Sequence, residues 1–118
     1  MTQITGKASV KVDGTELLSD VGATLNVGGV SREAVLGARG VQGYRETPVA
    51  PTITVTVRHT EDTDLIALAR IVNATVLFET DTGRSMLMRK AFVTEPPELD
   101  ASNGNFDLNF SGLGLENL

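Results

Sequence analysis

The stretch from Ser31 to Pro51, SREAVLGARGVQGYRETPVAP, constrains the fold of this chain more than any other. Gly37, Gly40 and Gly43 interrupt it at every third residue, and Pro48 and Pro51 close it. It reads as too polar and glycine-rich for an ordinary strand and too long for a turn. Structureless loops beyond about 12–15 residues are uncommon in compact domains and are usually functional or disordered. Val30, Val35, Leu36, Val41 and Tyr44 are spread through or beside it, and a disordered linker lacks such residues. Arginine and tyrosine are enriched at protein interfaces, and the stretch holds Arg32, Arg39, Arg45 and Tyr44 beside Glu33 and Glu46. The expectation is an extended arm, residues 31–51, that orders against another subunit.

At 118 residues the chain is one domain with one core, preceded by a polar lead-in over residues 1–6. Its net charge of −5 argues against a reader of nucleic acid, which needs a basic patch to neutralise phosphates. It is compatible with a surface past which nucleic acid slides without sticking. Cysteine is absent, so there is neither a disulfide framework nor a thiolate site, and a cytoplasmic origin is the easier reading. Met1–Val12 is polar with two lysines and no apolar centre, unlike a signal peptide, and no apolar run has membrane-spanning length.

Alternation of apolar and polar residues marks half-buried strands. In 52–58, TITVTVR, Ile53, Val55 and Val57 face inward and Thr52, Thr54 and Thr56 outward. In 105–111, NFDLNFS, Phe106, Leu108 and Phe110 face inward and Asn105, Asp107 and Asn109 outward. Residues 7–13 alternate likewise around Val10 and Val12, and Asp13-Gly14 is a hairpin-turn signal. Residues 24–30 read as a strand in which Gly28-Gly29 marks a bulge or a close backbone approach. Residues 74–80 and 84–95 form a hairpin across Asp81-Thr82-Gly83. Residues 60–73 form the single helix, with Thr60, Asp62 or Thr63 as its cap and Leu65, Leu68, Ala69 and Val72 on its buried stripe. The whole is mainly β: an antiparallel sandwich or split barrel with one flanking helix and one long extended loop.

Little reads as chemistry. His59 is the single histidine and fits a solvated loop, because metal sites need several converging ligands. Glu61, Asp62 and Asp64 suit a helix start better than a hard cation. The glycine spacing matches neither the dinucleotide fingerprint nor the P-loop, and no serine lies in a G-x-S-x-G elbow. No catalytic, cofactor or metal residue is assigned, and no enzyme is expected. The threonine face is either plain solvent-exposed surface or a small uncharged wall lining something.

The run GGVSREAVLGARGVQGYRETPVAPTITVTV, the helix start TEDTDL and the later TVLFETDTGRSMLMRKAFVTEPPELDASNGNFDLNFSG resemble the Mu-like phage tail tube proteins over roughly residues 14–112. That resemblance implies hexameric rings stacked into a hollow tail tube, with one sheet per subunit joining an inner barrel and the long loop reaching the next ring. It implies a virion component, assembled in the host cytoplasm, whose contractile tail conducts the genome. Its partners are further copies of the chain, the sheath, tape measure, terminator and baseplate proteins, and DNA in transit. Six chains each giving four strands at about 4.8 Å spacing and about 40° tilt make a circumference near 150 Å. The bore is then wider than a DNA duplex. A neutral to acidic wall repels phosphate, and Thr52, Thr54, Thr56, Asn105, Asp107 and Asn109 have that character; alternation alone does not decide between lumen and outer skin. The loop residues Arg32, Glu33, Arg39, Tyr44, Arg45 and Glu46 are expected to contact the next ring. A secretion-system tube subunit and a monomeric binding module are the competing readings.

Overall fold

The computed structural model describes residues 1–19 and 22–118. In chain order the elements are β1 (Ala8–Val12), β2 (Thr15–Glu16), β3 (Thr24–Asn26), β4 (Gly29–Gly37), β5 (Gly40–Val49), β6 (Thr52–Arg58), α1 (Leu65–Ala69), β7 (Ala74–Thr80), β8 (Ser85–Val93), β9 (Asn105–Ser111) and β10 (Leu115–Asn117). One antiparallel path runs β2-β1-β7-β8-β9-β6-β3, with β10 added to β8, while β4 and β5 pair only with each other. The path is open at both ends, and its terminal strands are two and three residues long. The mainly β, antiparallel class expected from the sequence is therefore what the chain adopts, as a split sandwich and not a closed barrel.

Strand β8 folds the path into two layers. Its first half pairs with β7 and its last two residues, Phe92 and Val93, pair with β9. Between them the register slips, and Lys90 sits at φ +51°. A bulge that bends a strand is how one strand serves two packed sheets. The inward residues foreseen from alternation meet between the layers: Val10, Ile53, Val55, Leu108 and Phe110 are wholly buried, joined there by Val76 and Met88. Asp13 (φ +50°) and Gly14 (φ +86°) make the tight β1–β2 turn, both in the left-handed region such a turn requires. Beyond it the chain crosses from one layer to the other. Leu17 N–H donates to the Val10 carbonyl, and Arg58 N–H donates to the Leu18 carbonyl.

Three expectations change. The helix spans only Leu65–Ala69, capped by Asp64, whose carboxylate accepts the Ala67 N–H at 3.1 Å. Thr60 and Thr63 hold the preceding residues in a turn, the Thr63 hydroxyl accepting Thr60 N–H at 3.1 Å; such local bonds compete with helix. Glu61 and Asp62 thus precede the helix. Leu65 and Leu68 of the helix and Ile71 just beyond it pack half-buried on the core, while Val72 is exposed, because the Ile71 carbonyl is drawn to Val93 N–H. Residues 24–30 do not form one strand: β3 stops at Asn26 and Gly28 (φ +69°) and Gly29 (φ +99°) redirect the chain. The third change is the long loop, which is a hairpin. Strand β10, absent from the expected elements, packs Leu115 on the core and places Glu116 3.3 Å from Arg89.

Gly28 is the close approach its sequence position hinted at. A Cβ there would lie 2.6 Å from the Pro51 nitrogen and 2.8 Å from the Val49 carbonyl oxygen. Both neighbours are backbone and neither yields cheaply. Gly28→Ala combines that clash with a left-handed penalty of about 1–2 kcal/mol, and we expect a loss of at least about 2 kcal/mol in urea unfolding. An unchanged midpoint would show that the backbone at the hairpin root yields to the added methyl group.

Candidate functional site: a projecting hairpin and a neutral sheet face

The β4–β5 hairpin stands clear of the body. All ten residues of β5 are exposed, as are most of β4. Strands of nine and ten residues reach about 30 Å, which accounts for the 63 Å long axis and the 17.4 Å radius of gyration. A compact chain of this length has a radius near 13–14 Å. The sequence residues Ser31 to Val49 pair because their chemistry is mirrored about the Ala38–Arg39 tip. Arg32 stands opposite Glu46, Glu33 opposite Arg45, Ala34 opposite Tyr44 and Leu36 opposite Val41. Opposite charges across a ladder stabilise it modestly. The register slips between Val35 and Leu36, so Gln42 is the extra residue of a bulge. Pro48 is tolerated because each strand of a lone ribbon has one free edge.

Directly opposed residues share a face. One face therefore gathers Val30, Ala34, Leu36, Val41, Tyr44 and Pro48, with the Arg32 guanidinium 5.9 Å from the Tyr44 ring centre. Leu36, Val41 and Tyr44 are 71%, 70% and 63% exposed. The other face carries Ser31, Glu33, Arg45 and Thr47. The predicted arm residues thus separate: Arg32, Tyr44 and Glu46 lie on the apolar face, Glu33 and Arg45 on the polar one, and Arg39 at the tip.

The second surface is the outer face of β3-β6-β9. Thr54 pairs with Asn109, Thr56 with Asp107 and Thr52 with Ser111. The Thr54 hydroxyl donates to Asn109 Oδ1 at 2.8 Å and the Thr56 hydroxyl to Asp107 Oδ1 at 2.7 Å. The two candidate groups named from separate strands are therefore one hydrogen-bonded wall, extended by Thr24 and Asn26 of β3. Only Asn105 stands apart in partner, opposite Arg58 at the strand end. A hollow lined by Glu95, Glu98, Asp100, Asp107 and Asn109 adjoins this face. There the Ser102 hydroxyl first, then Ser102 N–H, hold the Asp100 carboxyl below the usual carboxylate range, with Asn103 adding to the effect. A lowered value keeps the Asp100 carboxylate itself ionised to lower pH than an ordinary one.

The other layer has a different outer face. Leu77 stands opposite Leu87, with Lys11 and Glu79 paired at 3.3 Å nearby and Glu116 opposite Leu87 on the far side. His59 stacks edge-on with Phe106 at 6.3 Å. Among the described residues no group of His, Cys, Asp or Glu is placed to hold a metal ion, and no helix is long and apolar enough to cross a membrane.

The sequence model of a family described as "Phage tail tube protein" matches residues 1–117. A Mu-like prophage FluMu tail tube protein of Haemophilus influenzae is 38% identical over 112 residues, covering 95% of this chain and 93% of that one. The tail tube protein of Escherichia phage Mu is 32% identical over 95 residues, 80% of each chain. In fold the chain is similar to the tube-terminating cap of the anti-feeding prophage, with a TM-score of 0.68 at 12% identity, over 100% of this chain and 91% of that one.

Proposed function

Since this chain belongs to the phage tail tube protein family, we propose that six copies close edge to edge into a ring, that rings stack through the β4–β5 hairpin, and that DNA passes down the bore. The chain is a structural tail component of the virion and not an enzyme. The observation that carries the assembly is the hairpin: a two-stranded ribbon is marginal alone in water, and this one leaves its apolar face uncovered.

The sheet β3-β6-β9, with the end of β8, supplies four strands to the ring. Its short β3 edge is where a neighbour adds, which turns an aggregation hazard into a joint. Four strands from each of six copies give a wall of about 150 Å circumference. The face made of Thr52, Thr54, Thr56, Asn105, Asp107 and Asn109 lines the bore. It offers no lysine to a passing phosphate; its one cation, Arg58, stands at the strand end opposite Asn105, and Asp107, the only carboxylate among those six residues, repels a phosphate. The Leu77–Leu87 face, apolar at its centre and charged around it, turns outward to the sheath, an arrangement typical of protein interfaces. Tape measure, terminator and baseplate proteins meet the tube along its bore and at its ends. The chain enters the particle from the host cytoplasm.

Negative-stain imaging of the concentrated protein tests this. Hollow rods are expected, and a Thr54→Lys/Asn109→Lys variant should still form rods but retain added DNA that wild-type rods release. A population of monomers at every concentration would end the tube reading. Equal release of DNA by both proteins would remove this face from the bore.

A further inference from the structure

We propose that the groove beside the β1–β2 edge is the socket for the hairpin tip of a second copy of this chain. This deepens the stacking reading above and rests on it. The groove has a volume of about 490 Å³. Ala8, Leu17 and Leu18 give it an apolar lining, and the three carboxylates of Glu16, Glu79 and Asp81 stand there against two cations, Lys7 in the lining and Lys11, which pairs with Glu79 at 3.3 Å. It exists because β2 is so short. That strand pairs only with Lys11 and Val12, and one further bond joins Leu17 to Val10. Ala8 and Ser9 therefore flank the hollow with no strand beside them on that side among the described residues.

The hairpin tip has the complementary chemistry. Arg32 and Arg45 each have a glutamate opposite, but Arg39 lies in the turn with no carboxylate across from it. Immediately below it the Leu36–Val41 pair presents two side chains some 70% exposed. The tip is an uncompensated cation on an apolar knob, and the groove has an apolar lining with one carboxylate more than its cations once Lys11 is set against Glu79. Partial burial strengthens such a contact relative to an exposed ion pair.

Position supports the pairing. The hairpin is rooted beside Thr52, at the start of β6. The groove wall at Leu18–Ser19 is fastened to Val57 and Arg58, at the other end of the same strand. Seven residues of strand, about 20 Å, separate knob root from socket. A copy cannot easily fold its hairpin into its own groove, while a copy placed ahead of it receives that hairpin and offers its own onward. Such a contact is heterologous and propagates without limit, as a stack of rings requires.

The chain has no cysteine, which makes cross-linking a clean test. Val41→Cys and Leu18→Cys proteins are mixed where rods form and oxidised mildly. We expect a disulfide-linked dimer from the mixture and a ladder of multimers from the V41C/L18C double variant. Val41→Cys with Ile66→Cys, on exposed helix surface, should give neither. Arg39→Glu should abolish the cross-link and Arg39→Glu with Glu16→Arg should restore it. Rods whose Val41→Cys links to Ile66→Cys and not to Leu18→Cys overturn the socket while leaving the tube reading intact. Cross-linking indifferent to Arg39→Glu overturns the charge pairing. Wild-type protein that never forms rods removes the tube reading and the socket together.

Discussion

Excising Ser31–Thr47 and joining Val30 to Pro48 through Gly-Gly is expected to leave a folded subunit that no longer forms rods. The cut is geometrically mild, since Val30 and Pro48 are direct cross-strand partners and such Cα atoms lie about 4.5–5.5 Å apart. It is energetically mild as well. Every buried apolar residue lies outside the hairpin, from Val10 and Val12 to Ile53 and beyond. Removing exposed surface usually shifts stability by no more than about 0.5 kcal/mol, so the urea midpoint should hold. Assembly is another matter, because the deletion removes the exposed Leu36, Val41 and Tyr44 together. Sedimentation or light scattering should show small species at concentrations where the full chain makes rods. Rods of normal length from the shortened chain would refute the stacking role of the hairpin. Collapse of its thermal transition would instead show that the hairpin supports the core.

Phe110→Ala is the substitution expected to hurt the fold most. Phe110 is wholly buried in β9 and stands opposite Ile53 of β6 and Val93 of β8, at the place where the two layers share a strand. Truncating a buried phenylalanine costs about 3–5 kcal/mol, from lost transfer energy plus the cavity left behind. A domain of this size has only about 5–15 kcal/mol to lose. We expect the thermal midpoint to drop by roughly 10–25 °C. Val72→Ala, with its side chain 76% exposed, should change it by a few degrees at most. A Phe110→Ala loss below about 1 kcal/mol would mean the core collapses around the gap and is not the close-packed sandwich described.

The inward set of β6 and β9 was legible because a strand's side chains alternate regardless of which strand lies beside it. The same holds for the Thr and Asn/Asp outward faces, although nothing in either segment said that Thr54 meets Asn109 or Thr56 meets Asp107. The hairpin was misread as a loop because its glycines and prolines are local signals, whereas its stabilising feature is a mirror relation. Arg32 with Glu46 and Glu33 with Arg45 become meaningful only when a turn is placed at Ala38–Arg39. That symmetry was the available clue. The helix was overextended because periodicity continued through Ile71 and Val72, while the bonds that end it involve Thr60 and Thr63 on one side and Val93 on the other. The groove lined by Ala8, Glu16, Leu17, Leu18 and Glu79 had no signal at all, since it is assembled from segments some sixty residues apart.

By itself the sequence determined the class, the core strands, the exclusion of a metal or nucleophile chemistry built on cysteine, and the existence of an arm of unusual composition. These depend on side-chain type and on distances of a few residues along the chain. The tertiary structure decided that the arm is a ribbon with one apolar face, that two polar strand faces form a single wall, and that the hairpin's root and the β1–β2 groove sit at opposite ends of β6. Those facts depend on register and on the bend at β8, which are set by which strands find each other across the core and are invisible to any local pattern.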